Sequence, residues 1–352
     1  MRIYTLLQRM ILPMLFSLIM WVILEAGAFA TGGPLYDVVI TQTMYVPEVP
    51  FHVTDIRYVL SDFETRTLII AQPYQNGQLL RHRPVIFFVH GGGWVDGYAS
   101  WYTDILTPTF TATQGWVVVN VDYRLTSDQV FLADDYCRTS DTCDLAQATK
   151  AAWYDDNLRD VAAAFEWTVQ NISAYGGDPD NIFLFGHSAG GHLVSLVATH
   201  EGYRDIQQHM RGIISMSGAY DLNDLDVLFY PVLDQTFRGG HQDRDALEEA
   251  SPETYVRPGE SVPPFYVLHC QYDIPSLPEQ AISFRNKLET FGYSVEWDYL
   301  LGYTHTSEMA AVADPQEDVS QRIVNYVQNH IKRKEHHTAF LPFVAYGPSL
   351  RE

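Results

Sequence analysis

The stretch YGGDPDNIFLFGHSAGGHL, Tyr175 to Leu193, decides the reading of this chain. Its centre, Ile182–Phe185, is an apolar run of strand length, and Leu193–His200 continues as a helix-like apolar run. Between them stands Gly186-His187-Ser188-Ala189-Gly190. Glycines two positions before and after a serine let the backbone turn sharply from strand into helix. The hydroxyl is then exposed beside a helix N-terminus, where negative charge is favoured. Small residues around a serine are common in loops; the strand before and the helix after are what make the pattern specific.

Upstream, His90-Gly91-Gly92-Gly93-Trp94 directly follows the apolar run Val85–Val89. Three residues without side chains allow backbone N–H groups to point at a developing alkoxide, and an oxyanion loop is expected at this point of the chain. A nucleophilic serine also needs a base and a group that orients the base. Where the serine sits on a strand-to-helix turn, the acid and then the histidine follow it in sequence. Asp273 lies just after the strand-like Phe265–His269, and His305 lies just after Val295–Leu300, in Gly302-Tyr303-Thr304-His305. Rival acids are Asp221, after the strand run Gly212–Met216, and Asp298, inside a strand run. Among the histidines, His90 and His187 belong to backbone motifs, His192 and His200 to the helix after the serine, and His269 to a strand. Ser188, Asp273 and His305 are therefore the expected nucleophile, acid and base.

The remaining pattern alternates strand with helix. Asp55–Leu60 and Thr67–Gln72 read as early strands, antiparallel at an edge, and Trp116–Val121 reads as a further strand. Leu158–Tyr175 places Val161, Ala164, Phe165 and Thr168 on one helical face, and Asp318–Lys332 closes the chain with the stripe Val319, Ile323, Tyr326, Val327 and Ile331. Continuous apolar strands between amphipathic helices imply an α/β fold: a mostly parallel central sheet with helices on both faces. The expected organisation is one domain over residues 31–352. The stretches near 126–154 and 221–259 break the rhythm and read as lid-like insertions at the strand ends.

Composition excludes other classes. Lys+Arg 22 against Asp+Glu 43 gives a charge of −21, which repels nucleic acid and anionic bilayers. With 47% hydrophobic and 18% charged residues, the chain is too apolar to be disordered. Residues 1–30 combine Arg2 and Arg9, the apolar run Met10–Leu24 and a small-residue end at Ala30, the pattern of a secretory signal peptide. A secreted or periplasmic protein with no stable membrane anchor after cleavage is expected. Export makes Cys137 and Cys143 an expected disulfide within a polar, turn-rich stretch, whereas Cys270 follows a strand and reads as a buried free thiol. The cysteine spacing fits no zinc pattern, and no cofactor is expected. Trp94 and Tyr98 read either as acyl-pocket walls or as packing aromatics.

The chain resembles the α/β-hydrolase superfamily, and more narrowly its hormone-sensitive-lipase-like esterases. The resemblance is carried by HGGGW at His90–Trp94, DYRL at Asp122–Leu125, the stretch Tyr175–Leu193, SGAYDL at Ser217–Leu222, and the blocks around Asp273 and His305. It implies the α/β-hydrolase fold, oxyanion N–H groups on Gly92, Gly93 and Ala189, and hydrolysis of a small-molecule carboxylic ester through an acyl-enzyme, without a cofactor. The SGAYDL block and short N-terminal region are also similar to arylformamidases and prenylcysteine methylesterases, which leaves amide hydrolysis as the alternative. A binding protein on a hydrolase fold is the rival from another class; such chains commonly lose a triad member.

Overall fold

The computed structural model describes residues 35–44, 67–126, 129–131, 149–151 and 153–332. The leader at 1–30, the strand expected at Asp55–Leu60, and Cys137 and Cys143 lie outside the described residues.

Nine strands form the main sheet: β1 (Asp37–Met44), β2 (Thr67–Gln75), β3 (Gln78–Leu79), β4 (Arg83–Val89), β5 (Val117–Val121), then β8 (Gly177–His187), β9 (Met210–Met216), β10 (Phe265–Tyr272) and β11 (Val295–Thr304). Between them, β6 (Gln129–Phe131) pairs antiparallel with β7 (Thr149–Ala151) in a separate ribbon. The main order is β1-β2-β5-β4-β8-β9-β10-β11, with β3 hairpinned onto β2. β1 to β2 and β2 to β5 are antiparallel; every pair from β5 to β11 is parallel.

Both faces of the central strands are covered, as their unbroken apolar sequence demands. Along β4, Val85, Phe87 and Val89 enter one core while Ile86 and Phe88 enter the other, the two-residue period of a pleated strand. The first core is closed by α2 (Tyr154–Asn171) and α3 (Ala189–Thr199), following α1 (Ala99–Leu106) in the chain, with Phe165 edge-on to Phe87 at 5.4 Å. The second is closed by α1 and by the helix Asp318–His330, which buries Val319, Ile323, Tyr326 and Val327; it ends two residues short of the expected Lys332, and Ile331 packs half-buried just past its end. Helix α2 begins at Tyr154, earlier than its apolar stripe suggests. Asp155 and Asp156 in its first turn suit the positive end of the helix dipole.

β11 departs from expectation. It is the sheet's outer edge: of Val295–Leu300 only Leu300 is buried, and Trp297 and Tyr299 stand exposed. The aromatic run there is one-sided cover, not the mark of a strand enclosed on both faces. The segment 221–259 packs its own small core of Leu222, Leu225, Val232, Leu233, Phe237 and Leu247 against the first cluster. It forms part of the rim beside the strand ends; α4 (Tyr230–Thr236) and α5 (Arg244–Glu249) lie within it.

The chain leaves β4 for β5 on one side and returns to β8 on the other. The carboxyl ends of β4 and β8 therefore flank the reversal of strand order, where open α/β sheets present a crevice.

Candidate active site

The crevice is a real cavity of about 320 Å³. Gly91 and Gly92 from beyond β4, His187 and Ser188 from the end of β8, Asp273 from beyond β10 and His305 from beyond β11 all line it. Each expected triad member thus arrives from the same edge of the sheet, on a different strand.

Ser188 sits at φ +57°, ψ −122°, a backbone state that L-residues rarely hold. Its neighbours enforce it: a Cβ on Gly190 would lie 2.0 Å from the Val89 carbonyl oxygen. The turn is therefore pressed against β4 and has no room to relax. The Ser188 N–H donates to the Met216 carbonyl at 2.9 Å, which ties the turn to β9. Ala189 is the first residue of α3, a position whose N–H has no partner inside the helix.

Across the cavity, Gly92 has φ +125°, and a Cβ there would stand 1.9 Å from the Asp96 carbonyl oxygen. Only glycine allows the loop to fold back so tightly. Trp94 is buried, donates its indole N–H to His192 Nδ1 at 3.0 Å, and packs edge-on against Phe237. Burial holds the His192 imidazole down to about 4, so it stays neutral, and its Nε2 donates to the Ala250 carbonyl. Trp94 is therefore a brace between the glycine loop and α3. It does not line the cavity, and neither does Tyr98; Gly92 and Ser188 do, with Gly93 and Ala189 directly following them in the chain. The apolar walls come instead from α1 (Trp101, Tyr102, Ile105) and from α6 (Leu277–Thr290)'s leading loop (Ile274, Pro275), with Met309 and Ala310 of α7 (Ser307–Ala311) opposite.

His305 Nδ1 donates to Asp273 Oδ1 at 2.6 Å. Asp273 also accepts from Ser217 Oγ at 2.6 Å and from the Ile274 N–H at 2.8 Å. Burial opposes ionisation of Asp273, but these hydrogen bonds and the His305 charge prevail and hold its carboxyl below the usual range. Burial likewise opposes a charge on His305; the hydrogen bond to Asp273 and the negative charges of Asp273 and Glu308 outweigh it and raise its basicity. With Nδ1 committed, Nε2 is the ring nitrogen left to serve the cavity.

The rivals have other work. Asp298 accepts from the Tyr266 hydroxyl and pairs with Arg322; Asp221 caps a short helical turn through the Asn223 N–H. His90 is wholly buried, stacked on Tyr123 at 4.3 Å and bonded to the Gly91 carbonyl. Cys270 is buried and free, and burial pushes its thiol up. Three contributors were not read from sequence: Ser217, His187 and Glu308. Ser217 is visible as the first residue after β9 in the SGAYDL block, and His187 stands in the serine motif but reads there as part of the backbone turn. His187, His305 and Glu308, and likewise Cys270, Asp273 and Glu308, bring potential metal-ligating atoms within 4.8 Å of one another. Both groups share residues with the Asp273–His305 pair.

A second hollow adjoins the first along Asp273 and Pro275, rimmed by Asp224, Asp226, Val227 and Glu279. Here the 221–259 segment reaches the site, as an acidic rim and not as a roof. Among the described residues, no helix is long and apolar enough to cross a membrane.

The BD-FAE family model matches residues 72–136 and 146–288, more than half of the chain. The chain is 29% identical over 218 residues to the probable carboxylic ester hydrolase LipM of Mycobacterium tuberculosis, covering 58% of this chain and 44% of that protein. It is 24% identical to the isoprenylcysteine alpha-carbonyl methylesterase ICME of Arabidopsis thaliana, covering 70% and 55%. The chain thus spans about half the length of these curated relatives. Among solved structures, esterase B from Lactobacillus rhamnosis superposes with a TM-score of 0.66 at 17% identity, over 90% of this chain and 91% of that one. The fold is that of the α/β-hydrolases.

Proposed function

The chain belongs to the BD-FAE family, and from that premise we propose that it hydrolyses carboxylic esters of small molecules through a Ser188–His305–Asp273 triad and an acyl-enzyme. Ser188 Oγ attacks the ester carbonyl carbon as its proton passes to His305 Nε2. The carbonyl oxygen becomes an oxyanion, received by the N–H groups of Gly92, Gly93 and Ala189. Collapse of this intermediate breaks the bond to the alkoxide, which takes the proton from Nε2 and leaves as the alcohol. Water then attacks the acyl group with His305 again as base, releasing the acid and restoring Ser188. Asp273 holds the imidazole in the Nδ1–H tautomer and favours its cation.

The observation that carries this reading is the 2.6 Å bond from His305 to Asp273 on a cavity shared with a backbone-strained serine. The names of the relatives, an ester hydrolase and a methylesterase, favour esters over formamides. A panel of p-nitrophenyl esters of rising acyl length, with N-formylkynurenine alongside, tests it. Turnover of the formamide far above every ester would replace the ester reading by the amidase one. We extend the proposal to export after Ala30 with a Cys137–Cys143 disulfide. Peptide mapping of the exported protein without reduction checks both, and a free Cys137 or Cys143 would overturn the pairing.

A further inference from the structure

We propose that Glu308 is a second carboxylate of this site, a positioning residue that acts with His187 to hold His305 and to favour the imidazolium formed on it; the inference rests on the triad reading above. Glu308 stands one helical turn after His305, in α7, and is completely buried. Among the described residues neither of its oxygens accepts a full hydrogen bond. Its nearest donors are the weakly donating Cys270 thiol and His187 Nε2 at 3.4 Å, and a ring nitrogen of His305 and a carboxylate oxygen of Asp273 lie within 4.8 Å. A carboxylate so poorly supplied is costly to keep in a core, and glutamine would fill the same space without the charge.

His187 supplies the link. Its Nε2 donates to the backbone carbonyl of His305 at 2.8 Å, which makes Nε2 the protonated nitrogen, and the two rings lie 4.7 Å apart. The same N–H edge faces Glu308 Oε1. His187 therefore braces the main chain of the catalytic histidine on one side and meets the second carboxylate on the other. The titratable groups around His305 are Asp273 from the β10 end, His187 from the β8 end and Glu308 from α7, with Asp96, Tyr102 and Tyr272 on the walls of the shared cavity. Asp273 accepts the hydrogen bond from Nδ1–H, and Glu308 places a second carboxylate near the ring with only the Cys270 thiol and the His187 N–H edge to answer it.

The test is a histidine NMR titration of the whole chain, with His305 assigned by its loss in His305→Gln. In Glu308→Gln the titration midpoint of His305 falls by about one pH unit, the size expected for loss of a nearby opposite charge. Glu308→Asp keeps the charge but draws it back, and shifts the midpoint the same way by less. The acid limb of ester turnover moves with it, kcat falls and KM holds, a split that mere loosening of packing would not give. No downward shift in whichever variant folds overturns the proposal. The NMR reading needs no turnover, so an inactive wild type would remove the esterase reading while leaving this one decided by the titration.

Discussion

Two buried acidic clusters, Arg124 with Asp156 and Asp160 and Asp273 with His305, are built on opposite principles. In the first, Arg124 gives Asp160 three hydrogen bonds, from its backbone N–H at 3.0 Å, Nε at 2.6 Å and Nη2 at 2.7 Å, while Asp156 accepts from the Trp153 N–H. The guanidinium fork and carboxylate match geometrically, and Arg124 stays charged at any working pH. In the second, the acids meet imidazoles, whose protons can leave. Asp273 is saturated by His305, Ser217 and the Ile274 N–H, yet its main partner can titrate. The first cluster can only hold the loop after β5 to α2; the second can hold and also change state. Buried charge alone does not mark a site. A partner that can give up its proton does.

The sharpest way to break this comparison is Ser188→Ala. Turnover should fall by about 10⁶-fold with an unchanged melting curve, and a phosphonate should label Ser188 in the wild type. Labelling at another serine removes the assignment. Next comes Asp273→Asn, which leaves His305 in the wrong tautomer and should cost about 10⁴-fold in kcat, while Asp298→Asn stays within a few-fold. An inactive Asp298→Asn would mean the acid has been misplaced.

Arg124→Met probes the other cluster. It strands a buried carboxylate and should destabilise the fold by about 3–5 kcal/mol in urea unfolding, with kcat per folded molecule near wild type. A stable but inactive Arg124→Met would collapse the distinction between the two clusters. Ser217→Ala removes one charge-assisted hydrogen bond from Asp273, worth about 1.5–3 kcal/mol, and should lower kcat roughly tenfold while KM holds.

The smallest effect is in pH. His305 binds its proton more tightly folded than unfolded, so its contribution to stability is complete below the ordinary histidine range and fades as pH rises through its raised value. Asp273 is depressed, so its contribution is complete above the ordinary carboxylate range and fades as pH falls through its lowered value. The pair therefore stabilises most between about pH 4 and 6.5. The Tm difference between wild type and His305→Gln should peak in that window and shrink on both sides. Activity runs the other way: it needs neutral His305, so its acid limb should lie above the ordinary histidine value.

The parts of this fold legible in sequence are those where local chemistry and tertiary role coincide. β4, β5 and β8 are enclosed on both faces, so their central runs, Val85–Val89, Val117–Val119 and Ile182–Phe185, are apolar. The nucleophile turn needs glycine for reasons of backbone contact, and glycine is visible. Asp37–Met44 carries no such run because an edge strand is paired on one side only, and the aromatics of β11 suit an exposed edge as well as an enclosed strand. Glu308 was unreadable for a different reason. In Ser307–Ala311 a glutamate looks like a solvated helix position, and only the packing of α7 against the ends of β8 and β10 buries it. In sequence Trp94 suits a pocket wall and a packing brace equally; its hydrogen bond to His192 makes it a brace.

The cavity's two halves carry different freedom to vary. Its reacting half is backbone and glycine at Gly91, Gly92 and Gly97, with side chains that the chemistry itself demands; its far half is ordinary side chains on α1 and α7, Trp101, Ile105, Met309 and Ala310. Substitution can recut the side-chain walls, most freely at half-buried Trp101 and Ala310, whereas a Cβ on Gly92 or Gly97 would meet backbone at once. What fits the cavity is set by replaceable side chains; what reacts in it is set by the path of the main chain.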